Sequence, residues 1–78
     1  MIFRERGFRF HFYSFEGSPR EPVHVHVKGN GVDAKFWVGD TVTLAYNNGL
    51  NSRDLAMVTL AVRARRTEIQ DAWHGHFG

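Results

Sequence analysis

In residues 7–15, "GFRFHFYSF", apolar Phe8, Phe10 and Phe12 alternate with Arg9, His11 and Tyr13. A period of two predicts a strand with one buried side. Ile2 and Phe3 are compatible with a short preceding strand, although "MIFRER" is too brief to define one. "EGSPREP" at 16–22 has the Gly, Ser and Pro content of a loop, and Pro22 biases Glu21 toward an extended backbone. A second strand over 23–28 turns Val23, Val25 and Val27 one way and His24, His26 and Lys28 the other. "GNG" at 29–31 supplies the positive-φ residues of a tight hairpin. The return strand, 33–38, sets Ala34, Phe36 and Val38 against Asp33, Lys35 and Trp37. After "GD" at 39–40, a strand over 41–46 opposes Val42, Leu44 and Tyr46 to Thr41, Thr43 and Ala45, and "NNG" closes the sheet.

The period then changes. Asn51 or Ser52 can cap a helix, with Asp54 in its first turn. Leu55, Val58, Val62, Ile69 and Trp73 recur at helical spacing, flanked by Ala61 and Ala72. No Gly or Pro interrupts residues 52–74, which predicts one unbroken helix of roughly 33 Å at about 1.5 Å per residue, stopped by Gly75. The expected fold is α+β in two layers: an antiparallel meander of three to five strands with one long C-terminal helix packed on one face, in a single domain spanning 1–78. Strands of six or seven residues reach only about 20 to 23 Å. The far end of the helix, carrying Ile69, Trp73 and Phe77, is therefore expected to overhang and to meet a second copy or another protein, unless the helix runs obliquely.

Composition fits a folded chain: of 78 residues 42% are hydrophobic and 14% aromatic, with seven Phe and two Trp. A chain this small hides only about 60% of its unfolded surface, so one core has to hold it. With no cysteine, disulfides and thiolate zinc sites are excluded. Charged residues break the opening segment, no stretch approaches the roughly 20 apolar residues of a membrane span, and a cytoplasmic location without membrane contact is the expectation. Ten Lys and Arg against eight Asp and Glu give +2, which matters only if the cations share a face.

The polar side of the sheet gathers Arg9, His11, Tyr13, His24, His26, Lys28, Lys35 and Trp37, with Asp33 as its main acid. Such a mixture of cations and flat rings suits nucleic acid, and His, Arg and Tyr alone can in principle cleave RNA without a metal. Exposed Trp and Tyr serve protein interfaces equally well. His24 and His26 stand about 7 Å apart on one strand face, near enough to share a metal if His11 joined them. The plainer reading is that an alternating strand has to place something polar outward, so neither metal nor any other cofactor is expected. Arg63 and Arg66 share one side of the helix, most simply as a solvated face. The terminal "HGHFG" offers only weakly fixed ligands. With no hydrolase-like carboxylate pair, phosphate loop or nucleophile motif, a non-enzymatic interaction domain is the expected class.

The blocks "GFRFHFYSFEG", "EPVHVHVKGNG", "AKFWV" and "AYNNGLNSRDL", followed by a long helix ending "AWHGHFG", resemble the bacterial family known as domain of unknown function 4160. The likeness covers essentially the whole chain. Its HxH signature falls on His24 and His26, its AKFW block on residues 34–37 and its terminal Trp on Trp73, none with an assigned role. Members more often carry two prolines before the first His, whereas here Pro22 is followed by Val23, which keeps the extended approach. The resemblance implies a small prokaryotic protein encoded beside, or fused to, another small domain in gene pairs of toxin–antitoxin type. It thereby implies a protein partner, either the neighbouring gene product or a second copy.

Overall fold

Two glycine-containing turns set the register of the sheet. Arg6 (φ 53°) and Gly7 (φ 83°) form one, Asn30 (φ 51°) and Gly31 (φ 77°) the other. Both pairs occupy the left-handed region that a two-residue hairpin turn of matching twist demands. In the computed structural model, which describes residues 2–13 and 21–77, five strands follow: β1 (Phe3–Glu5), β2 (Phe8–His11), β3 (His24–Gly29), β4 (Val32–Val38) and β5 (Val42–Asn48). They pair antiparallel in the order β1-β2-β3-β4-β5, a simple meander. The expected strand over 7–15 ends as a strand at His11, and its residues 14–15 lie outside the described residues. The short first strand, too brief to read from sequence, exists because Arg6 and Gly7 turn it back onto β2.

One face of the sheet is apolar. Phe10, Val25, Val27, Ala34, Phe36 and Val38 are essentially inaccessible, and Phe3 stacks on Phe10 with ring centroids 4.3 Å apart. Gly29 (φ 140°) brings the end of β3 so close to the first turn that a Cβ there would sit 2.7 Å from the Gly7 carbonyl oxygen. The division of faces expected for β2, β3 and β4 holds, but β5 departs from it. Pairing slips at Lys35/Phe36, so that Lys35 opposes Tyr46 while Phe36 opposes Leu44. Ala45 is the extra residue of a bulge, and a bulge reverses the inside–outside phase. Val42 therefore packs inward as expected, whereas Tyr46 lies on the outer face and Asn47 takes the inner position, its side chain bonded to the Leu50 backbone.

The helical segment is not one rod. Helix α1 (Ser52–Ala64) begins at Asn51, whose side-chain oxygen accepts from the Asp54 amide at 2.8 Å, and ends at Arg65 (φ −109°, ψ 20°). Helix α2 (Arg66–Phe77) starts at the next residue and runs through Gly75. Neither Gly nor Pro marks the break; what holds it is tertiary. The Arg65 guanidinium lies 4.2 Å from the centre of the Phe3 ring and pairs with Glu68 at 3.1 Å and Glu5 at 3.4 Å. Bending there carries α2 across the end of the sheet, where Gln70 donates to the Val38 and Gly39 carbonyls and Arg66 to that of Gly39. Val58, Ala61 and Val62 of α1 and Ile69 of α2 complete the core.

The bend corrects the expected overhang. Ile69 and Trp73, assigned to a partner contact because a straight helix would leave them wet, are 0% and 1% exposed within the single chain. Phe77 is half-buried against Trp73, with centroids at 4.3 Å. None of the described helices is long and apolar enough to cross a membrane.

Candidate functional site

The outer face is built of cross-strand rows. One runs Arg4, Arg9, Lys28, Asp33, Asn48 across all five strands; the next runs His11, His26, Lys35, Tyr46; the third runs His24, Trp37, Thr43. Every residue expected on the polar side is on it, and the fold adds Arg4 and Tyr46. Arg4 was missed because β1 was not resolved as a strand, and Tyr46 because the bulge that turns it outward leaves no mark in the alternation. The left-handed Arg6–Gly7 turn is the signal that could have supplied Arg4.

The two ends of this face differ. At the first row Arg4 and Arg9 are exposed and oppose each other directly, and neither has an ion-pair partner among the described residues. Lys28 pairs with Asp33 at 3.6 Å, and Tyr46 donates to the same carboxylate at 3.4 Å. Asp33, followed by Tyr13, holds the Lys28 ammonium pKa above its usual value. Burial first and then the Asp33 charge raise that of the Tyr46 phenol. In the second row Lys35 sits 4.3 Å over the Trp37 ring and 3.8 Å from the Glu21 carboxylate.

At the other end the rings close on one another. His11 stacks on His26 at 5.8 Å, Tyr13 lies 5.0 Å from His11 and 4.9 Å from His26, and His24 meets His26 at 5.2 Å. His24 also touches Trp37 at 5.6 Å and, from the last helix, Trp73 at 4.8 Å. This corrects the expectation that His24 and His26 look out to solvent: they are 0% and 6% exposed. Their strand alternation is as read, but α2 crosses the start of β3 and lays its indole against His24, while Tyr13 and His11 cover His26. The His24 Nδ1 donates to the Pro22 carbonyl at 3.0 Å, which fixes that tautomer because a carbonyl only accepts. The three imidazoles pack as rings, and among the described residues no three His, Cys, Asp or Glu side chains are grouped as metal ligands.

His11 is the imidazole of this group left half-exposed. Burial chiefly, then the nearby His26, Lys28 and Arg9 charges, lower its pKa below the ordinary 6.5. Of the basic residues around the helix junction, Arg63 is exposed and Arg65 and Arg66 are half-buried. Arg65 is tied to Glu5 and Glu68, whereas Arg63 and Arg66 line a cleft of about 320 Å³ with Asp40, Thr41 and Val42.

No curated protein and no solved structure matches the chain. Residues 7–74, which carry β2 to β5, both helix starts, the ring cluster and the cleft, match the family model described as Domain of unknown function (DUF4160), and the chain belongs to that family.

Proposed function

We propose that the open end of the outer face binds single-stranded RNA, with Arg4, Arg9 and Lys28 on phosphates and Tyr13, His11 and Tyr46 beside the bases. The observation that carries this reading is the Arg4–Arg9 pair, without an ion-pair partner among the described residues and in register with Lys28. Like charges placed directly across a strand pair destabilise a sheet. A polyanion laid along the row relieves that repulsion, and base stacking on neighbouring rings is sequence-tolerant. The reading is one of binding; His24 and His26 lie beneath other rings, which leaves His11 as the half-exposed imidazole of the cluster to meet the ligand. The test is fluorescence anisotropy with a labelled oligouridine at two salt concentrations. Binding that weakens with salt and falls in Arg9→Ala supports it; binding that is absent, or indifferent to both, defeats it.

A second reading is that of an interaction domain within a toxin–antitoxin-like gene pair, with the neighbouring gene product or a second copy as partner. Burial of Ile69 and Trp73 removes the overhang as its contact surface, but other features favour it. Leu44 and Leu60 are 44% and 63% exposed, and the edge strand β5, "VTLAYNN", carries no charged side chain to discourage strand addition. Co-expression with the adjacent gene decides this reading: a complex of fixed stoichiometry supports it, and separate elution of the two chains defeats it.

A further inference from the structure

The turn between β4 and β5 is flanked by two recesses that no part of the sheet-face reading uses. The first, about 320 Å³, is lined by Asp40, Thr41, Val42, Arg63 and Arg66. The second, about 350 Å³, shares the lining residues Asp40 and Thr41 with it and is bounded by Trp37, Thr43, Gln70 and His74. We infer that together they form a nucleotide site, with a phosphate monoester held between Arg63 and Arg66 and the base lodged in the recess beside Trp37.

Each part of that ligand has a chemical counterpart. Arg63 belongs to the last turn of α1 and Arg66 opens α2, three positions on along the same side of the helical segment, and both residues line one cleft. Arg66 Nη1 is held by the Gly39 carbonyl at 3.0 Å, which fixes its fork in place while its remaining N–H groups stay available. Arg63 has no ion-pair partner among the described residues. Two guanidiniums meeting a dianion form the charge-assisted, bidentate bonds for which arginine is suited. The Thr41 hydroxyl adds a donor. Asp40 is the sole acid among the residues lining either recess, and a carboxylate placed between a phosphate subsite and a base subsite suits a ribose hydroxyl. Beyond it the indole of Trp37 gives an aromatic wall, and Gln70, His74 and Thr43 give polar edges. Both recesses have the size at which small-ligand sites begin, about 300 Å³.

This site is distinct from the Arg4–Arg9–Lys28 row, and the two proposals fail separately. Isothermal titration of the full chain with uridine monophosphate is expected to give saturable binding, with competition by inorganic phosphate and at least tenfold weaker binding of uridine. Arg63→Ala, which disturbs none of the hydrogen bonds of the turn, is expected to weaken binding about tenfold with an unchanged circular dichroism spectrum. Arg66→Lys keeps the charge, loses the fork and is expected to weaken it by several-fold. Arg4→Ala/Arg9→Ala should leave nucleotide affinity unchanged even where it abolishes RNA binding. Equal affinity for uridine and its monophosphate, or an Arg63→Ala variant that binds as well as the parent, would overturn the assignment.

Discussion

The outer face of the sheet has two ends, made by the same three central strands and the same alternation, and they have opposite fates. Around Arg4, Arg9, Lys28 and Asp33 the polar side chains meet water; around His24 and Trp37 they meet the last helix. Alternation specifies which side of a strand a residue takes, and nothing about what later crosses that side. A histidine is an economical choice at such a position, because it can begin a strand facing outward, pack as a ring against Trp73 and still satisfy a ring nitrogen on the Pro22 carbonyl.

The contrast is sharpest in stability. Trp73→Ala removes a 1%-exposed indole from the roofed end, and large-to-small changes of this kind cost about 3 to 5 kcal/mol. Denaturant unfolding should show that loss, with hydrogen exchange accelerated first at the start of β3. Arg9→Ala at the open end should change stability by no more than about 0.5 kcal/mol, as is usual for surface positions. Equal losses at the two positions would dissolve the distinction between the ends. Next in size is Gly29→Ala, which meets the Gly7 carbonyl and a positive φ together and should cost on the order of 2 kcal/mol in thermal or denaturant unfolding. Asn51→Ala, remote from both ends, should cost about 1 kcal/mol through the lost helix cap, measurable as a shift in denaturant midpoint without change in slope.

A smaller effect separates the ends by pH. His11 titrates below its ordinary value in the folded chain, so protonation favours the unfolded one. Stability should be unaffected by this group well above pH 6.5, fall as pH drops through 6.5, and level off below the depressed folded pKa. A phosphate near His11 reverses the sign, since a neighbouring anion favours the imidazolium, and RNA binding should therefore take up protons and tighten as pH falls through this range. His11→Gln should flatten both profiles, and an unaltered pH dependence in that variant would exclude His11 as the source.

The legibility of the fold in the sequence follows the same physics. Strands β2, β3 and β4 could be read because each buries one side, so that Phe8 and Phe10, Val25 and Val27, and Ala34, Phe36 and Val38 repeat at two. In β5 the alternation was misread from Ala45 onward, because a bulge is a pairing event between strands and not a property of either sequence. The helix break at Arg65 left no local mark, because it is maintained by Phe3 and Glu5 some sixty positions earlier. The same hidden break sets the course of the helix that buries Ile69 and Trp73 and roofs His24. Thus the members of the outer face, Arg4 and Tyr46 excepted, were legible, whereas their exposure depended on a helix direction set by contacts distant in the chain.

The claim that the open end is a phosphate-binding row is tested most directly by the salt dependence of oligouridine affinity, compared between the parent chain and Arg9→Ala. With three phosphate contacts on a single strand, log affinity should fall against log salt with a slope of about −2, and Arg9→Ala should reduce that slope by about 0.7. Binding with the same slope in both proteins would contradict the account.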